Sequence, residues 1–226
     1  MKLILGMGIT GLSVARFFSN KNEIFRIADS RKIPMLLKVF QEENLVDDCY
    51  CGEWNKSILE DIDEVVISPG ISQSEDIVKW IREKKIKLIS DIELFGRYSN
   101  APIIGITGSN GKSTVTQLLG EMALASNLNA VICGNIGSPV LESISDTADL
   151  YIVELSSYQL DYTSELGLFA GVITNISPDH LDRYYNYEAY IASKLSIFPY
   201  CENVIINLDE PLQLSLIHIS EPTRPY

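Results

Sequence analysis

One nine-residue segment, Gly105-Ile-Thr-Gly-Ser-Asn-Gly-Lys-Ser113, constrains this chain more than any other. Its Gly111-Lys112-Ser113 end matches the close of GxxxxGK[ST], with the leading glycine, Gly105, one residue further back than that spacing sets. It also stands between an apolar run, Pro102–Ile106, and an amphipathic stretch, Lys112–Ala125. A strand that feeds a glycine bend and then a helix turns backbone N–H groups inward and aims the positive end of the helix dipole at one spot, which suits a phosphate. Gly108, Ser109, Asn110, Gly111, Lys112, Ser113 and Thr114 are the candidate contacts. Lys112 supplies a point charge for terminal phosphates, and the Ser113 hydroxyl can reach Mg²⁺. A glycine turn with an incidental lysine would not explain why strand, loop and helix all agree.

The rest of the chain repeats this rhythm. Candidate strands are Lys2–Leu5, Ile24–Ala28, Glu64–Ile67, Lys87–Ile89, Pro102–Ile106, Asn129–Ile132, Leu150–Val153, Gly171–Thr174 and Asn203–Ile206. Candidate helices are Gly11–Ser19, Ser74–Lys84, Lys112–Ala125, Ser138–Ile144 and Tyr187–Phe198. Alternation of this kind predicts an α/β fold with mostly parallel sheets covered by helices. Each of two such series opens on a glycine loop. The expectation is a Rossmann-like domain over residues 1–93 and a P-loop NTPase-like domain over 94–212, joined where FGRYSNA (95–101) turns polar. The last residues, 213–226, break the rhythm and resemble a translated sequencing adaptor, so they are read as a non-native tail and His218 is given no role.

The first glycine loop, Gly6-Met-Gly8-Ile-Thr-Gly11, precedes a helix, and Asp29 ends the next strand at the offset of an acid that grips a nucleotide ribose. By itself this suggests a dinucleotide site, although a lone GxGxxG does not say which nucleotide approaches. Ser68-Pro69-Gly70 follows the third strand and could add a backbone contact or be an ordinary turn. Glu154 ends the apolar strand LYIVE and is a candidate Mg²⁺ ligand. His180 lies past a strand end, where ligands gather in α/β sheets, but position alone fits a surface histidine equally well, and Mg²⁺ prefers oxygen. Lys194 shares a helical face with Tyr187, Tyr190, Ile191, Leu195 and Phe198. A lysine there either snorkels to water or sits in a site, where a desolvated amine could take up CO₂ as a carbamate and become an oxygen ligand.

Composition excludes some classes. A net charge of −12 argues against general binding to nucleic acid or anionic membranes. No apolar run approaches the roughly 18 residues of a membrane span. The four cysteines, Cys49, Cys51, Cys133 and Cys201, form no CxxC pair and suggest reduced thiols in a cytoplasm.

Taken in order, GMGITGLS (6–13), ADSR (28–31), SPGI (68–71), DIELF (91–95), GITGSNGKSTVT (105–116), GNIG (134–137), VELSSYQL (153–160), DHLDRY (179–184) and SKL (193–195) resemble the Mur ligases of bacterial cell-wall synthesis, over about residues 1–211. DIELF and ELSSYQL resemble the branch that adds D-glutamate. The resemblance implies a cytoplasmic, ADP-forming amide ligase that joins D-glutamate to UDP-N-acetylmuramoyl-L-alanine through an acyl phosphate, using ATP and Mg²⁺. It implies that Ile9, Thr10, Asp29, Ser30, Arg31, Ser68, Pro69 and Gly70 surround uridine and pyrophosphate. Asn135 would contact the UDP-sugar and Ser156 its peptide end. Lys112 would serve ATP; Ser113, Glu154, His180 and a carbamylated Lys194 would serve the metals. It further implies three domains in a longer chain, so this polypeptide is expected to stop inside the central domain and to be inactive alone; the full-length enzyme is expected to be a monomer. A sister ligase using another amino acid, and an NAD-binding domain fused to a P-loop module, are the alternatives.

Overall fold

The computed structural model describes residues 1–46, 49–180 and 183–209. The 213–226 tail with His218, and Leu181 and Asp182 of the 179–184 motif, lie outside the described residues. The chain divides into two compact units. The first is Met1–Ser99 with Gly137–Asp146 and Asp161–Leu166; the second is Asn100–Ile136 with Thr147–Leu160 and the described part of Gly167–Tyr226.

The first unit holds five parallel strands, β1 (Lys2–Leu5), β2 (Phe25–Asp29), β3 (Cys49–Cys51), β4 (Glu64–Ile67) and β5 (Lys87–Ile89), in the order β3-β2-β1-β4-β5. Helices α1 (Ile9–Asn20), α2 (Leu37–Glu42), α3 (Asp76–Glu83) and α4 (Asp91–Tyr98) accompany them. A parallel sheet is covered on both faces, so its strands are continuous apolar runs rather than alternating ones. That is how KLIL and EVVI read. Ile77, Val78 and Ile81 of α3 are buried in one cluster with Leu3, Leu5, Val65 and Ile67. Strand order reverses at β1, which opens a crevice at the C-terminal ends of β1, β2 and β4.

Helix α4 runs through residues where the sequence suggests a polar turn. Its start follows from Ser90, whose Oγ accepts the Glu93 N–H at 3.1 Å. Glu93 is fully buried and its carboxylate is a hub. It accepts Arg97 Nη2 at 3.0 Å, the Ser164 N–H at 2.7 Å, Ser164 Oγ at 3.0 Å and the Glu165 N–H at 3.2 Å. Truncation strands several buried donors at once. Glu93→Ala is expected to destabilise the chain by about 3 kcal/mol, read as a lower urea midpoint. A midpoint unchanged from the parent chain would remove Glu93 from any structural role.

The second unit holds β6 (Ile103–Thr107), β7 (Ala130–Gly134), β8 (Leu150–Glu154), β9 (Leu168–Ile173) and β10 (Cys201–Ile205), all parallel, in the order β10-β9-β6-β8-β7. Its helices are α5 (Lys112–Ala125), α6 (Ser157–Leu160) and α7 (Tyr187–Leu195). The phosphate-loop strand β6 is therefore central, between β9 and β8. Three expected helices are shorter than their patterns, among them Ser74–Lys84, of which α3 covers Asp76–Glu83. Residues 138–144 form only a 3₁₀ turn at Val140–Ser143. Helix α7 ends at Leu195, and Phe198–Tyr200 is a 3₁₀ turn around Pro199, which has no N–H and disfavours helical geometry just before it. Among the described residues no helix is long and apolar enough to cross a membrane.

Candidate functional site

In the first unit, the crevice at the strand ends is a cavity of about 470 Å³. Ile9, Thr10, Asp29, Ser30, Arg31, Ser68, Pro69 and Gly70 all line it, together with Gly6, Gly8, Trp54, Ile71 and Glu75. The glycine loop delivers α1 to this cavity with an extended Gly8 at its N-cap and no acidic residue in its first turn, which leaves the helix N-terminus open to an anion. Gly11 permits the bend: a Cβ there would stand 1.8 Å from the Gly6 carbonyl oxygen.

Asp29 is buried and fully engaged. Oδ2 accepts the Met7 N–H at 2.7 Å and Arg31 Nη2 at 2.5 Å; Oδ1 accepts Arg31 N at 2.9 Å and Nε at 2.8 Å. Burial pushes this carboxyl upward, but the Arg31 hydrogen bonds and then the Met7 N–H outweigh it and hold the group below the usual carboxylate range. The acid thus fixes the glycine loop and presents Arg31 to the cavity. Trp54, Ile71 and Glu75 are additions that pattern reading did not find. The Trp54 indole N–H donates to Glu75 Oε2 at 3.3 Å across 21 residues of sequence, and no local spacing announces that pairing.

In the second unit, the loop after β6 is shaped by contacts with residues 174–177. Gly108 has φ +142°, and a Cβ on it would lie 2.0 Å from Thr174 Oγ1, so only glycine fits. Ser109 Oγ donates to the Ser177 carbonyl at 2.9 Å and meets the Tyr190 hydroxyl at 2.9 Å. Asn110 donates its N–H to Asn175 Oδ1 at 3.0 Å and accepts Asn175 Nδ2 at 2.8 Å on its carbonyl. Gly111 is the left-handed N-cap of α5, and Lys112, Ser113 and Thr114 make the first helical turn. Lys112 Nζ donates to the carbonyls of Gly108 at 2.9 Å and Ser109 at 3.0 Å, so the cation is held over the mouth of the loop. Asn175, Ser177 and Tyr190 belong to this scaffold, and sequence reading passed over the first two because their partners lie more than 60 positions away.

Glu154 ends β8 beside the loop, with Ile106 and Gly134 as its register partners. It is 1% exposed. Ser113 Oγ donates to its Oε2 at 2.8 Å and Asn135 Nδ2 donates to its Oε1 at 2.8 Å. Lys194 is 2% exposed with its Nζ 4.8 Å from the centre of the Tyr190 ring, so its head does not snorkel to solvent. His180 is exposed, has φ +53°, lies 3.5 Å from Asp179 through Nε2 and packs against Tyr158 with ring centres 5.0 Å apart and planes tilted by 53°. Ser156 turns both its N–H and its hydroxyl to Gln159 Oε1 at 3.0 Å.

The donors around Ser113 and Glu154 are hard oxygens, which fit Mg²⁺. Among the described residues no group of three or more His, Cys, Asp or Glu side chains could hold a metal.

Comparison with known proteins assigns both halves. Residues 1–90 match the model of the Mur ligase MurD-like N-terminal domain, and residues 106–224 match the Mur ligase middle domain. The UDP-N-acetylmuramoylalanine--D-glutamate ligase of Marinobacter nauticus is 43% identical over 210 residues, covering 93% of this chain and 47% of its own. The enzyme of the same name from Nitrosococcus oceani is 42% identical over 224 residues, covering 99% and 49%. The chain spans about half the length of the curated relatives it matches. A solved ligase from Neisseria meningitides, UDP-N-acetylmuramate:L-alanyl-gamma-D-glutamyl-meso-diaminopimelate ligase, shares the fold with a TM-score of 0.60 at 14% identity, covering 97% of this chain and 74% of that one. With a MurD-like first half and a middle-domain match over most of its second, the chain belongs to the Mur ligase family.

Proposed function

We propose that this chain carries the UDP-sugar cavity and the ATP loop of a ligase that joins D-glutamate to UDP-N-acetylmuramoyl-L-alanine. The observation that carries the reading is the buried Glu154 carboxylate, held by Ser113 and Asn135 next to the phosphate loop. A carboxylate does not acylate an amine at neutral pH, because hydroxide is a poor leaving group. Attack of the L-alanyl carboxylate on the γ-phosphorus of ATP gives an acyl phosphate and ADP; the D-glutamate amine then attacks that carbonyl and phosphate leaves.

The protein's task is alignment and charge neutralisation between two anionic reactants. Lys112 is placed to exchange its two carbonyl contacts for terminal phosphate oxygens. The Gly108–Gly111 backbone and the start of α5 take the remaining phosphate charge. Ser113, Glu154, His180 and a carbamylated Lys194 are the residues assigned to the metals. Mg²⁺, when bound, supplies positive charge against the phosphates. In the first unit, Arg31 and the N-terminus of α1 would hold the uridine diphosphate; in the second, Asn135 and Ser156 are assigned to substrate contacts.

The deciding experiment measures phosphate release by the full-length protein. Release should require both UDP-N-acetylmuramoyl-L-alanine and D-glutamate. Equal turnover with a diamino acid or L-alanine in place of D-glutamate would move the protein to a sister activity. A narrower test concerns the first cavity alone. Gly11→Ala forces the Gly6 carbonyl aside and is expected to weaken UDP binding by this chain at least about tenfold, with ATP binding unchanged. Calorimetric titration with each nucleotide reads both, and equal loss for UDP and ATP would point to general unfolding.

A further inference from the structure

We propose that Cys49, Cys51 and Met7 form a three-sulfur site for a soft monovalent cation of the copper(I) or silver(I) class. Cys49 and Cys51 stand two residues apart on β3, the edge strand of the first sheet, so their side chains share one face. Both are half-buried free thiols, reachable from solvent at the sheet edge. Met7 is fully buried in the glycine loop, and Cys51 Sγ donates to its Sδ at 3.8 Å.

That separation is what two ligands of one ion require. Sulfurs about 2.3 Å from a shared ion at trigonal or tetrahedral angles lie about 3.8 to 4.0 Å apart. The donor set is two thiols and a thioether, which select soft ions. The carboxylate beside them cannot harden the site: Asp29 is the register partner of Cys51, and its oxygens are taken by Met7 N–H and Arg31.

A disulfide between the two cysteines fits less well. Residues i and i+2 of an extended strand have Cα atoms about 6.6 to 6.8 Å apart, the outer edge of the disulfide range. Burial, and after it the neighbouring Cys49, also raise the Cys51 pKa to about 11, so at neutral pH the thiol is a poor nucleophile. An ion has to displace that proton, so its affinity rises with pH across the neutral range.

The test uses the whole chain, reduced and metal-free, titrated with copper(I) against the chelator bicinchoninate. One equivalent per chain should be retained. Cys51→Ser is expected to weaken retention at least about a hundredfold and Met7→Leu about tenfold, while Cys201→Ser leaves it unchanged. X-ray absorption should count three sulfurs near the ion. If Cys51→Ser loses its circular-dichroism signature, Cys49→Ser on the exposed edge reads the same loss. Absence of retained copper, retention undiminished in both cysteine variants, a two-sulfur shell, or a copper-free chain lighter by two hydrogens through disulfide formation would each overturn the site.

Discussion

Lys112→Ala is expected to abolish ATP turnover in the full-length ligase, a fall of at least about a thousandfold, and to weaken ATP binding by this chain about a hundredfold. The effect is large because Lys112 is the cation built into the loop. The backbone N–H groups of residues 108–111 and the helix dipole bring only partial charges, whereas the terminal phosphates gather more negative charge as the anionic carboxylate attacks. In the structure Nζ is bound to two carbonyls of its own loop, at 2.9 and 3.0 Å. Those contacts are weaker than the phosphate contacts that would replace them, and they keep the side chain poised. Alanine retains the helix, since it is the best helix former, so the loop should survive without its charge. The informative comparison is Lys112→Arg, which keeps a cation but replaces a compact head with a planar fork that the loop does not fit. Near-normal turnover in the alanine variant would refute the assignment of this loop as the ATP site.

How far such a site could be read beforehand depended on whether its signal was local. Strands β1, β4 and β5 and helix α5 lie at the residues their patterns name, because an apolar run between turn residues, or a glycine loop opening a helix, is complete within a dozen positions. Strand β3 was not legible. Cys-Tyr-Cys is three half-buried residues at a sheet edge, too short to show a period. Helix α4 did carry a signal, the spacing Ser90-x-x-Glu93 of a capping box, but the polar residues after it masked the helix. Only half of that box forms, because the Glu93 side chain turns to Arg97 and to residues 164 and 165 instead of returning to its own cap.

The same division runs through the site. The phosphate loop is a contiguous motif and was readable as chemistry. Asn175, Ser177 and Tyr190, which shape it, arrive from another part of the chain and could be found only in three dimensions. For Lys194 the helical face left two outcomes open, snorkelling or burial; the side chain is buried, with its amine 4.8 Å from the centre of the Tyr190 ring. For Asp29 the strand-end position suggested a ribose contact, and the structure adds that its carboxylate accepts from Arg31 and Met7, partners the position alone did not name.

Glu154→Gln tests the metal half of the site and should separate ATP binding from ATP chemistry. Glutamine has the shape of glutamate, and the Ser113 hydroxyl can rotate to accept from the new amide while Asn135 continues to donate to the remaining oxygen. The fold around this position, which is 1% exposed, should therefore persist. What disappears is one full negative charge beside Ser113. In the full-length ligase, turnover is expected to fall about a thousandfold and the Mg²⁺ concentration for half-maximal rate to rise at least about tenfold, while metal-free ATP binds as well as before or slightly better, since a buried anion no longer faces its phosphates. A purely structural carboxylate would give a different pattern: lower thermal stability, equal loss with and without metal, and no change in Mg²⁺ dependence. The two variants thus pull the site apart from opposite sides. Removing the cation at position 112 should weaken ATP with or without metal, whereas removing the anion at position 154 should impair the enzyme through Mg²⁺ and leave metal-free ATP binding undiminished. An unchanged Mg²⁺ requirement in Glu154→Gln would leave Ser113 without its proposed partner and send the search for the metal's carboxylate elsewhere.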